Sequence, residues 1–193
     1  MIETSSLSFV ETKPLLGDEV PQALIDDANL SELQLEALAY AEFRFNQPFT
    51  PSGQRKALLL ADSTGSGKGR MQSGVMVQTT MKHPSITKHV WVSLNTGLAA
   101  DSQRDLVAVR AKHHAGLVLK TTEGVGYNQS LPNFATPTVL YTTYAWLRGK
   151  EPKKKGKKRA SKFSTRIEQL IDWLGGADFE GVLSLDEVHA CKA

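Results

Sequence analysis

A chain of 193 residues, 40% hydrophobic and 22% charged, has the composition of an ordinary globular domain and not of a disordered or fibrous protein. At this length roughly 70% of the unfolded surface is buried on folding, enough for one core without disulfides or metal. Cys191 stands alone, so no internal disulfide forms, no Cys/His spacing matches a zinc site, and a reducing cytoplasm is expected. The opening MIETSSLSFV carries an acid where a secretory signal needs basic residues, and no apolar run approaches the ~18 residues that span a bilayer, so neither export nor membrane insertion is expected. The net charge of +3 is uneven: residues 150–162, KEPKKKGKKRASK, carry eight Lys or Arg against one Glu, a local +7 that leaves −4 elsewhere.

Residues 1–29 mix Ser, Thr, Pro, Gly and acids without a period and are expected to form an irregular arm. From Ser31, SELQLEALAYAEFRF sets Leu35, Leu38, Ala39 and Phe43 at helical spacing, with Ser31 as N-cap. NQPFTPSGQR is loop punctuation, and KALLLA has the length and continuity of a buried strand. After the glycine-spaced ADSTGSGK, the segment GRMQSGVMVQTTMK reads as a helix ending near His83-Pro84, and HVWVSL as the next strand. Strand, loop, helix, strand is a βαβ unit. LAADSQRDLVAVRAK continues as a helix, AGLVLK and TVLYTTY as strands, FSTRIEQLIDWL as a helix and GVLSL as a last strand. This alternation predicts an α/β domain over residues 30–193, its mostly parallel sheet covered by helices on both faces, with 150–162 as a basic insertion.

A phosphate cradle needs backbone N–H groups converging from a tight turn, a helix N-terminus behind them and a lysine reaching the outer phosphates. Gly65 and Gly67 allow such a turn and Lys68 falls at the helix start. Yet in the pattern GxxxxGK[ST], Asp62 stands at the first glycine and Gly69 replaces the hydroxyl residue that binds Mg²⁺. A flexible turn that happens to hold a lysine is the alternative. The partner motif is GVLSLDEVHACKA, which delivers Asp186 and Glu187 to the carboxyl end of a strand, where open α/β sheets bind ligands. In P-loop enzymes an acid there holds the metal and a second carboxylate orients or deprotonates the attacking water. Capping of a surface strand is the competing reading of an isolated Asp-Glu pair.

At these residues the sequence resembles the superfamily-two helicases, whose DExH box matches Asp186, Glu187 and His189. More narrowly it is similar to the strawberry notch group of helicase-like ATPases, through LSELQLEALAYA at 30–41, ADSTGSGKGR at 61–70 and LDEVHACKA at 185–193. That group shares the Lys-Gly-Arg ending, so Gly69 departs from the general pattern but agrees with this branch. The resemblance implies a RecA-like P-loop NTPase domain, the first half of a two-domain helicase motor, with ATP and Mg²⁺ as cofactors. Thr64, Gly65, Ser66, Gly67, Lys68, Gly69 and Arg70 would hold phosphates, Gln34 the adenine, Asp186 the metal and Glu187 the water, while His189 would relay nucleotide state. It further implies nucleic acid as a partner, tracked by Asn95, Thr96, Thr142 and Thr143 unless these are only turn or cap residues, and a second RecA-like domain donating arginines. A bacterial or phage-infected cytoplasm is the setting it suggests. The competing functional readings are a truncated helicase-like interaction module without turnover, and a nucleic-acid binder working through 150–162. Trp146, Trp173 and Tyr40 are assigned to packing, and His83, His89, His113 and His114 to surface or loop positions.

Overall fold

The structure, a computed structural model, describes residues 19–61, 65–110, 116–127, 129–149, 163, 165–176 and 178–188. Strands β1 (Lys88–Ser93), β2 (Val118–Thr121), β3 (Thr138–Thr143) and β4 (Leu183–Leu185) form one parallel sheet in the order β2-β3-β1-β4. β1 pairs with β3 from Lys88 opposite Thr138 to Ser93 opposite Thr143, and on its other side with β4, Val92 opposite Leu185. Ser93, Thr143 and Asp186 therefore leave the sheet at one level. The central strands are buried on both faces because helices cover both, as parallel connectivity requires.

Successive strand residues point to opposite faces, which divides the core in two. Trp91, Val139 and Tyr141 pack under helices α1 (Gln22–Asp27), α2 (Glu32–Phe45), α3 (Lys68–Lys82) and α4 (Ala99–Ala108), with Leu24, Leu38 and Met76 fully buried. Val90, Val92 and Leu140 face the short α5 (Tyr144–Leu147) and α6 (Arg166–Leu174), meeting Tyr144, Leu170 and Trp173. Each fully buried Leu or Met contributes about 1.5–3 kcal/mol relative to exposure. Trp173 also donates from its indole N–H to Pro132 O at 3.0 Å, and the half-buried Trp146 packs against the same cluster as expected, while Tyr40 is half-buried on α2.

Helix starts follow local chemistry. Ser31 accepts from the Gln34 N–H at 3.3 Å while the Gln34 side chain accepts from the Ser31 N–H at 3.0 Å, and Thr165 and Glu168 repeat this capping box at α6. A single turn of 3-10 helix, Thr96–Leu98, leads into α4.

Four expectations need correction. The arm contains α1, because Val20 and Leu24 find an apolar floor beside α2 and α3; residues 1–18 lie outside the described residues. KALLLA is not a strand: Leu58 and Leu60 are half-buried, Ala57 and Leu59 exposed, and the segment has no ladder partner among the described residues. The neighbouring sheet edge is the three-residue β4, and a cavity lies between the two. Phe43 is exposed and not on the packed face of α2. His89 is fully buried within β1 and not at the surface. The basic run 150–162 and His113 and His114 lie outside the described residues.

Candidate functional site

Gly67 is the N-cap of α3, with φ +79° and ψ +38°, a left-handed conformation that costs a glycine little. Lys68 is thus the first helical residue, at the end where the helix dipole and unpaired N–H groups favour an anion. The Gln34 amide nitrogen donates to Ser66 O at 3.2 Å, tying the loop to the start of α2. Ser66 Oγ is buried with no hydrogen-bond partner among the described residues, and so is Gln72 Oε1 one helical turn beyond Lys68. Buried polar atoms left unpaired are rare and call for a partner.

The acidic end is held by the sheet. Asp186 N donates to Val92 O at 2.8 Å, extending the β4 pairing by one residue, and Ser93 Oγ donates to Asp186 Oδ2 at 2.9 Å. Tyr144 OH donates to Asp186 O at 2.7 Å from the opposite face. Asp186 is half-buried and oriented; Glu187 follows in the left-handed region, φ +52°, and is exposed. A non-glycine residue there is uncommon, and such conformations concentrate at functional sites. Nearby, Tyr141 OH donates to Asn95 O at 2.9 Å; burial pushes the phenol above its ordinary range, against the Ser93 hydrogen bond.

Upstream, His89 sets the approach to β4. Val182 N donates to His89 Nδ1 at 3.1 Å, so Nδ1 is unprotonated and Nε2 carries the hydrogen that Thr80 Oγ1 accepts at 2.9 Å; Thr80 in turn donates to Met76 O. Burial lowers the imidazole pKa to about 4, which keeps this tautomer neutral. A histidine inside an apolar strand run was the one sequence signal of this clasp.

Lys68, Gln72, Asp186 and Glu187 line a single cavity of about 540 Å³, walled by apolar residues of 57–60, α2, α3 and β4. Lysine and paired acids thus face the same space, within the size range of ligand pockets. A profile of the family described as P-loop containing NTP hydrolase pore-1 matches residues 1–193. The chain belongs to this family.

As a P-loop NTP hydrolase domain it is 32% identical over 193 residues to "Protein strawberry notch" of Drosophila melanogaster, covering 100% of this chain and 11% of that protein. It is 35% identical to human "Protein strawberry notch homolog 2", covering 13% of it, and 31% identical over 201 residues to "Protein FORGETTER 1" of Arabidopsis thaliana, covering 14%. The chain spans 10–15% of the length of these and similar relatives. No solved structure matches it.

Within this P-loop domain the expected site residues divide. Gly65, Ser66, Gly67, Lys68, Gly69 and Arg70 form the loop and first turn of α3, while Thr64 and His189 lie outside the described residues. The amide of Gln34, assigned to adenine by resemblance, is engaged by Ser31 and Ser66 instead. Asn95 and Thr96 are exposed at the carboxyl edge of β1. Thr142 and Thr143 are buried: the first shares a hydrogen bond with Thr122 Oγ1 at 2.9 Å, and the second caps α5 by accepting from Trp146 N at 3.1 Å. Both hydroxyls are thus engaged within the fold. Among the described residues no group of three or more His, Cys, Asp or Glu could hold a metal ion, and no helix is long and apolar enough to cross a membrane.

Proposed function

We propose that this domain binds ATP with Mg²⁺ as the first motor domain of a cytoplasmic nucleic-acid helicase or translocase, with turnover depending on a second RecA-like domain. The observation that carries the reading is the shared cavity: Lys68 from the start of α3 and Asp186 and Glu187 from the end of β4 line it together. The site also fits the cofactor on its own terms, since the loop holds a buried hydroxyl at Ser66 with no partner among the described residues and a left-handed N-cap.

Lys68 and the first-turn N–H groups bind phosphate oxygens, and Ser66 Oγ completes its hydrogen bonding there. Asp186, oriented by Ser93, would hold the metal; Mg²⁺ keeps several waters in phosphate sites, so a glycine at position 69 is tolerable. When bound, the ion neutralises charge on the phosphates. Glu187 positions the attacking water and accepts its proton. Reading adenine would require Gln34 to share or release its bonds to Ser31 and Ser66, so Gln34 serves as a support of the loop. Asn95 and Thr96 remain as exposed contacts for a nucleic-acid backbone, together with the basic run 150–162, whose contacts would weaken with salt at about −0.9 in log slope per phosphate. The relatives named above are animal and plant proteins and lend no support to a bacterial or phage setting.

Calorimetric titration with ATP and Mg²⁺ tests this reading. Lys68→Ala is expected to abolish measurable binding while the melting temperature of the free protein stays near that of the wild type. Equal affinity of the two proteins overturns it, and absence of any ATP-dependent rise in the wild-type melting temperature favours an interaction module without turnover.

A further inference from the structure

The two glycines that flank Lys68 are each approached by a polar side chain from another helix. A Cβ on Gly67 would overlap Gln34 Nε2, and one on Gly69 would overlap Asp105 Oδ2 and stand 3.4 Å from Asp105 Cγ. Asp105 comes from α4, so the space that a Ser or Thr side chain at position 69 would need is filled by a carboxylate of a different helix. The other oxygen of that carboxylate lies 3.7 Å from Arg70 Nε.

Arg70 extends the connection. Its guanidinium donates to Asn29 O at 3.4 Å, and Asn29 N donates to Ala108 O at 3.1 Å, which returns to the end of α4. The first turn of α3, the residues before α2 and the last turn of α4 thereby close a ring behind the loop. Asp105 is well placed to act in it, with its side chain only 22% exposed. Burial pushes its carboxyl above the usual range, while Arg104 and Arg70 draw it back towards the charged form.

We propose that Asp105 is a positioning residue for the nucleotide loop: it occupies the place of a side chain at 69, holds Arg70 against α4, and so fixes the turn that presents Lys68. This rests on the reading of that loop as the ATP site. Gly69 is then a requirement imposed by α4 and not a lost function: restoring the hydroxyl of the general pattern harms the site while Asp105 is present, and adds no further harm once Asp105 is removed.

The experiment is a double-mutant cycle on the 193-residue chain with Gly69→Ser, Asp105→Ala and the double variant, titrated with ATP and Mg²⁺ at a temperature where all are folded. Each single change is expected to weaken binding by roughly five- to fiftyfold, with the double no weaker than the poorer single, as for side chains in direct contact. Additive losses, or wild-type affinity in Gly69→Ser, overturn the proposal. Hydrogen exchange without nucleotide judges it independently. The Arg70 and Met71 amides, bonded to Gly67 O at 2.9 and 3.2 Å, are expected to exchange faster in Asp105→Ala, while α6 amides on the opposite face keep their rates. Unchanged exchange at Arg70 and Met71, or a rise shared equally by α6, overturns the brace. If wild-type protein fails to bind ATP, the nucleotide reading falls, and the exchange result still decides whether the brace exists.

Discussion

His89 links three segments through one ring, joining Thr80 of α3 and the backbone of Val182 from within β1. Its folded pKa, lowered by burial from 6.5 to about 4, means that the fold favours the neutral form. The stability it contributes is complete above pH 6.5 and is lost as pH falls from 6.5 through 4, about 3 kcal/mol over that window by linkage. Glu42 acts in the same direction. Burial, its largest influence, pushes the carboxyl up, but Lys82 at 2.7 Å and hydrogen bonds from Asn46 and Gln78 outweigh it and leave the value below 4.5. Its contribution is present above 4.5 and lost as pH falls through the folded value. Urea midpoints measured from pH 7 to pH 4 are expected to fall steeply for wild type and less steeply for His89→Gln, which has no proton to gain; equal slopes would refute the clasp.

Among the elements, α2 is a cap, a core helix and a loop support at once. Ser31 and Gln34 close the capping box, Leu38 and Ala39 are fully buried, and Gln34 continues to Ser66. Ser31→Ala is expected to cost about 1 kcal/mol in urea unfolding, the usual worth of such a cap. The change removes the acceptor of the Gln34 backbone N–H and leaves both bonds of the Gln34 side chain, to the Ser31 N–H and to Ser66 O, so ATP affinity by calorimetry is expected to stay near the wild-type value. A fall in affinity at a temperature where the variant is fully folded would show that the loop depends on the Ser31 hydroxyl after all. The capping pairs were legible as S-x-x-Q and T-x-x-E, since both partners lie within one helical turn. KALLLA was not, because an apolar run becomes a strand only where another strand offers a ladder.

For the molecule as a whole, a sheet with helices on both faces brings the Lys68 loop and the Asp186 end to one cavity, and relatives extend far beyond the matched span. Within that cavity the described residues include Lys68 but no arginine. An arginine supplied in trans is worth about 10³–10⁵ in rate in other P-loop enzymes. Residues 1–193 alone are therefore expected to bind ATP yet hydrolyse it slower by about that factor than a polypeptide carrying the second domain. Phosphate release in single-turnover assays checks this, and equal rates would remove the need for a partner domain.

Periodicity, caps and motif order were enough to read an α/β domain, the placement of most helices and strands, and the convergence of the lysine loop and the acidic pair on one cavity. These features depend on neighbours within a few residues, or on the order in which segments follow one another. Contacts between distant residues decided the rest. Ser93 orients Asp186 and His89 holds Val182, each across 93 residues of chain; Thr142 is consumed by Thr122; and an Asp105 carboxylate oxygen lies where a Cβ at position 69 would be. Whether a polar side chain serves a ligand or the fold depends on which groups surround it after packing, and that environment is created only when the layers come together.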